Sequence, residues 1–105
     1  MAQFDVHRNP SQRQRDAMPY MVNIQSDLLE ALPTRLLMPL VRHALVPGAI
    51  PRNLCPAVDF EGERLYLLAP QVASFLVRDL GAALGSLSAY ASDIVAALDA
   101  VISGV

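Results

Sequence analysis

The chain has 105 residues, with eight basic side chains against ten acidic ones and a net charge of −2 at pH 7. That length suits one domain spanning residues 1–105 with a modest core. A hydrophobic fraction of 53% with mean hydropathy +0.34 excludes an intrinsically disordered chain, because apolar burial offsets ordering entropy. The near-neutral charge argues against nonspecific duplex binding, and a single cysteine, Cys55, excludes an internal disulfide framework.

All eight basic residues are arginine; lysine and tryptophan are absent. Six arginines stand against four acids in residues 1–52, and two against six in residues 53–105. An arginine-rich first half can grip carboxylates bidentately, which makes an acidic peptide a candidate partner beside the plainer reading of a solvated surface. Asp5, His7 and Arg8 leave no early apolar stretch for a secretory leader, and the uncharged stretch 80–92 is too short to span a bilayer. The expected location is cytoplasmic, away from any membrane.

In chain order, residues 2–7 alternate, with Phe4 and Val6 opposite Gln3, Asp5 and His7, as a half-buried strand does. Residues 8–17, with Asn9-Pro10-Ser11-Gln12 and three arginines, read as a polar surface loop. Tyr20, Val22 and Ile24 alternate with Met21, Asn23 and Gln25 in a second strand. Residues 36–41 form a third, and Pro39, which donates no ladder hydrogen bond, predicts an edge strand or a bulge there. Residues 47–51 are a turn by composition. Residues 54–60 and 64–68 flank Glu61-Gly62-Glu63 and fit a hairpin, and residues 72–77 make another strand. Short strands, tight turns and no interleaved helices predict a small antiparallel barrel or sandwich-like sheet in a mainly β, α+β chain.

The tail changes period. Leu87, Tyr90, Ala91, Ile94, Ala97, Leu98, Val101 and Ile102 recur at helical spacing, with Ser88, Ser92, Ala96, Asp99 and Ser103 opposite. Ser86 or Ser88 can cap the start, and Gly104 suits the position after a helix end.

Little catalytic chemistry is visible. His7 and His43 lack neighbours at metal-ligand spacing and read as surface histidines, and Cys55 reads as a buried structural thiol. Thr34-Arg35 places a cation beside a hydroxyl, as phosphodiester cleavage requires, although a turn leading into a strand fits it better. Gly81 and Gly85 report tight packing or a linker. No cofactor motif appears.

Several runs together resemble the CcdB toxin family of toxin–antitoxin pairs. They are Gln3-Phe4-Asp5-Val6, Ile24-Gln25-Ser26-Asp27-Leu28, Met38-Pro39-Leu40, Leu54-Cys55-Pro56-Ala57-Val58, Val72-Ala73-Ser74, Leu87-Ser88, Asp93-Ile94 and Gly104-Val105. The resemblance implies an SH3-like antiparallel barrel, as in CcdB and MazF, with a C-terminal helix, working as a homodimer. It implies a non-enzymatic poison that binds the DNA gyrase A subunit and traps cleaved DNA, touching DNA only through gyrase or antitoxin. The gyrase-contacting positions would be Ser26, Leu28, Leu29, Asp99, Ser103, Gly104 and Val105. A CcdA-like antitoxin would be the neutralising partner, with Arg13, Arg15 and Arg42 placed to take its acidic residues. Ser103-Gly104-Val105 departs from the Trp-Gly-Ile terminus of the well-studied toxins, whose tryptophan stacks on a gyrase arginine. Alternatives are a MazF-type mRNA endoribonuclease using Thr34-Arg35, or a CcdB-like binding protein that has lost gyrase poisoning.

Overall fold

A computed structural model describes residues 2–42, 48 and 50–104. Its strands are β1 (Asp5–Arg8), β2 (Tyr20–Asn23), β3 (Thr34–Val41), β4 (Ala57–Phe60), β5 (Glu63–Leu67), β6 (Ala73–Leu76) and β7 (Gly85–Ser86), followed by the helix α1 (Ala91–Ser103). All pairings are antiparallel, in the order β4-β5-β3-β2-β1-β7, with β6 also on β3. The sheet curls into a half-barrel with the helix packed against it, in agreement with the expected barrel-plus-helix class.

Pro39 does not mark an edge. β3 is the central strand: β2 pairs along one side, while β6 takes residues 34–37 and β5 takes Leu40 and Val41 on the other. Leu36 accepts from Ile24 on the β2 side, whereas the Pro39 carbonyl accepts from Leu68 N–H at 2.9 Å on the opposite side. In an antiparallel ladder a residue's N and O point the same way. The proline nitrogen therefore faces the gap between β6 and β5, where no ladder partner needs a donor.

The hairpin forms where expected, but Glu63 belongs to β5, so the link is two residues rather than the expected Glu61-Gly62-Glu63. Phe60 pairs with Glu63 across Glu61 and Gly62, whose φ values are 52° and 75°. Positive φ at both central residues is the turn whose twist matches that of the flanking strands. Leu54 and Cys55 stay outside the ladder, since Arg52–Leu54 form a 3-10 turn and the Cys55 thiol donates to the Pro51 carbonyl at 3.6 Å, while the Pro56 carbonyl still accepts from Leu67 N–H of β5 at 3.0 Å. Cys55 is buried, as its apolar setting predicts.

Val6, Val22, Met38, Leu40, Val58, Leu65 and Leu67 line the inner face and meet Leu87, Ile94 and Ala97. Full burial of such aliphatic side chains contributes roughly 1.5–3 kcal/mol each. The alternation expected for 2–7 correctly places Val6 inside but fails for His7, which is 1% exposed. The other sheet face is covered too: His7 Nδ1 lies 2.8 Å from the Gly81 carbonyl, and Met21, Asn23 and Leu37 are buried there with it. A carbonyl only accepts, so Nδ1 carries the proton, and Nε2 is buried without a partner among the described residues. Asn9 is also buried rather than part of a solvated loop, since its amide donates to the Met18 carbonyl and accepts from Ser11.

The helix begins later than its periodicity predicts, because Ser88–Tyr90 form a 3-10 turn first. Ser86 Oγ accepts from Ser88 N–H at 3.1 Å, bracing that turn rather than capping α1. Gly104 ends the helix at φ 73°, its N–H bonded to the Ala100 carbonyl, as expected of a left-handed C-terminal position. Ile94, Ala97 and Ala100 are buried, but Val101 and Ile102 at the end of the apolar stripe are exposed.

Candidate functional site

The expected gyrase-contacting residues fall into two groups, and the N-terminal arm links them. Ser26 Oγ accepts from Leu28 N–H at 3.2 Å, capping the 3-10 turn Asp27–Leu29. Gln25 braces the turn from within, donating to the Leu29 carbonyl and accepting from Leu36 N–H. With its polar groups satisfied inwardly, the turn presents its leucines to solvent: Leu28 is 94% exposed, and Leu29 and Leu32 are about half exposed.

Gln3 holds this turn to the arm. Its N–H donates to Asp27 Oδ1 at 2.8 Å, and its side-chain amide donates to the Ile24 carbonyl at 3.1 Å. Phe4 follows at φ 70°, a conformation that side chains other than glycine rarely adopt, and its carbonyl accepts from Leu87 N–H ahead of the helix. Gln3 and Phe4 then line a shallow groove of about 560 Å³ with Ala91, Ser92, Val95, Ala96 and Asp99 of α1. Gln3 thus touches both the Ser26–Leu29 turn, through Asp27, and the groove that Asp99 lines. Composition and spacing missed Gln3 and Phe4 as parts of the site, because a strand pattern hides a positive φ.

At the end of α1, Ser103 Oγ donates to the Asp99 carbonyl at 2.6 Å, so its hydroxyl folds back on its own helix. Ser103 and Gly104 are exposed beside Ile102, and Val105 lies outside the described residues. The turn and the groove together offer aliphatic contacts, the carboxylates of Asp27 and Asp99 and a tight backbone turn.

The three arginines expected to take acidic residues are not equivalent. Arg42 pairs with Glu63 at 2.8 Å and also donates to the Asp16 carbonyl, so its charge is already compensated. Arg15 donates from Nε to the Asn9 carbonyl at 2.7 Å, leaving its outer nitrogens without partners among the described residues. Arg13 is exposed on the turn Gln12–Gln14.

Thr34 and Arg35 are not a turn but the first two residues of β3, paired with Leu76 and Phe75 of β6. Arg35 is 7% exposed, and its guanidinium donates to the carbonyls of Glu30, Leu32 and Thr34 at 2.7–2.9 Å. A guanidinium so held fastens the chain and is not free to meet a phosphodiester. His43 lies outside the described residues, and among the described residues no cluster of three or more metal-ligating side chains occurs. The other ion pair, Arg64 with Asp59 on the hairpin, is exposed; its hydrogen bond and the neighbouring carboxylate charge raise the guanidinium pKa above its ordinary value.

Among the described residues no helix is long and apolar enough to cross a membrane. A search of curated proteins finds no match to the chain. The family model described as "CcdB protein" matches residues 3–104, nearly the whole length. With the half-barrel, the terminal helix and that match together, the chain belongs to the CcdB family, the toxins of toxin–antitoxin pairs.

Proposed function

We propose that the protein is a non-enzymatic gyrase poison, acting as one domain: a homodimer in the cytoplasm that docks on the DNA gyrase A subunit and traps the cleaved-DNA complex. The observation that carries this reading is that Gln3 joins the turn bearing exposed Leu28 to the groove lined by Asp99, with exposed Ile102 and Gly104 at the helix end. Covering an exposed leucine such as Leu28 on docking supplies roughly 1.5–3 kcal/mol. The uncovered Val101 and Ile102 support a two-fold partner beside the helix end, the commonest closed arrangement. A CcdA-like antitoxin neutralises the toxin by covering this surface, and DNA is reached only through gyrase or antitoxin.

Ser103, with its hydroxyl turned inward, supplies no aromatic anchor, so poisoning of a standard bacterial gyrase is weak. The test is a cleavage-complex assay with purified gyrase and supercoiled plasmid, read as linear DNA across a toxin titration. Linear DNA accumulating at high toxin concentration, and lost in Leu28→Arg, supports the docking surface. No linear DNA with either the native chain or Ser103→Trp, both shown to be folded, overturns it. Rescue of growth by a co-expressed neighbouring antitoxin gene tests the second partner separately.

A further inference from the structure

A second recognition element lies where β1 meets β2. Arg8, Arg15, Asp16, Pro19, Tyr20 and Leu84 line a half-open cavity of about 380 Å³. Arg8 and Tyr20 are directly opposed in the β1–β2 register, so their side chains stand on the same sheet face. Arg15 is fixed by its Nε bond to the Asn9 carbonyl, and Asn9 is anchored by its bonds to Met18 and Ser11. Arg8 has no hydrogen-bond or ion-pair partner among the described residues, and Asp16 forms no ion pair with either arginine. Two guanidinium groups thus share a cavity with one carboxylate, and the positive excess is uncompensated.

We propose that Arg8 and Arg15 form a carboxylate-binding site that reads an acidic segment of a peptide partner. The planar, multi-donor guanidinium matches a carboxylate, and two of them converging on one space provide the geometry for a charge-assisted pincer. The volume lies toward the low end of ligand pockets, roughly 300–1,000 Å³, which suits a short stretch of extended chain rather than a helix. Pro19, the Tyr20 ring and half-exposed Leu84 add an apolar wall for the aliphatic part of a glutamate or for its neighbour. Arg42, compensated by Glu63, is not part of this site, so the acid-reading centre moves from Arg42 to Arg8. The identity of the peptide as the antitoxin rests on the function proposed above; the site does not.

The experiment is fluorescence anisotropy of fluorescein-labelled hexaglutamate with the full-length protein, alongside hexaglutamine and competing sodium phosphate. Hexaglutamate binds and hexaglutamine does not, added salt weakens binding, and Arg8→Gln lowers affinity about tenfold. Arg15→Lys, which keeps the charge and loses the fork, weakens binding as well. Arg64→Gln, which removes a cation already paired with Asp59, leaves it unchanged. Equal losses in Arg8→Gln and Arg64→Gln point to bulk charge and overturn the proposal. So does full binding by Arg8→Gln, or displacement of the peptide by low-millimolar phosphate. Arg8 is exposed, so its variant folds even if Arg15→Lys does not. The probe contains neither antitoxin nor gyrase; its failure removes the site, whereas failed rescue or failed trapping removes the partner reading.

Discussion

Gly85 and Phe60 leave no room between them: a Cβ built on Gly85 stands 2.8 Å from the Cε1 atom of the Phe60 ring. Phe60 is 8% exposed and meets Tyr20 edge-on, with ring centroids 5.0 Å apart, so the ring cannot swing away cheaply. Overpacking of this kind costs roughly 1–3 kcal/mol. For a chain of this size that lowers the melting temperature of Gly85→Ala by about 5–15 °C. In a Phe60→Leu background the same substitution costs markedly less. A thermal melt of Gly85→Ala indistinguishable from native refutes the contact.

Arg35 is a stability residue. Arg35→Met removes the donors for three carbonyls at once, and hydrogen bonds to charged groups are worth about 1.5–3 kcal/mol each before relaxation and water recover part of the loss. The expected result in urea is a stability loss of roughly 2–4 kcal/mol. Wild-type and variant both leave a single-stranded RNA probe uncut. RNA cleavage by the native chain that Arg35→Met abolishes, with stability kept, restores the ribonuclease reading.

Ser103→Trp restores an aromatic face to the helix end. A desolvated cation–π contact is worth about 2 kcal/mol, or roughly thirtyfold in affinity, and the proposed two-fold dimer would carry two copies. The concentration of toxin needed to trap half the gyrase falls accordingly in the cleavage assay. No gain over the native chain refutes the reading of position 103.

Asp27→Ala frees the arm from the docking turn. The lost bond from Gln3 is exposed, so stability falls by no more than about 1 kcal/mol. Trapping weakens several-fold, since Gln3 no longer joins the turn bearing Leu28 to the groove lined by Asp99. Unchanged trapping refutes the clamp.

The Arg64–Asp59 pair has a definite sign in pH. A cation whose pKa is raised on folding adds stability that is present below its unfolded value and is lost only as pH climbs through the folded one. For an arginine that window lies beyond ordinary working pH. Both partners are more than half exposed, and solvent screens the pair. Stability profiles of native protein and Arg64→Gln measured from pH 5 to 9 therefore run parallel.

Much of this fold is legible in the sequence wherever a local rule governs. The Glu61-Gly62 hairpin, the strand around Val22, the strand ending at Leu76 and the helix ending at Gly104 each follow from turn chemistry or periodicity alone. What the sequence conceals are long-range facts. The polar side of β1 predicts a solvated His7, but the stretch around Gly81, far along the chain, covers it. Pro39 suggests an edge because nothing local announces that β3 changes partners. The apolar stripe predicts Val101 and Ile102 buried, although among the described residues Val101 is only partly covered and Ile102 stands 77% exposed. For the candidate site, residue types and family likeness point to the turn and the helix end. Neither the arm that joins them nor the cavity at Arg8 has a signature in spacing, since both arise from backbone geometry.

The gap beside Pro39 also has a dynamic consequence. Because β6 and β5 bond to separate stretches of β3, with a residue between them that has no amide proton, no continuous ladder couples the two outer strands. β6 is mostly exposed, whereas β5 contributes Leu65 and Leu67 to the core. Local opening can therefore release β6 while β5 stays closed, as weakly buried units do in native-state exchange. Within the single strand β3, the amides of Arg35 and Leu37 then exchange with solvent far sooner than that of Val41, and Pro39 marks a hinge between a fast half and a slow one.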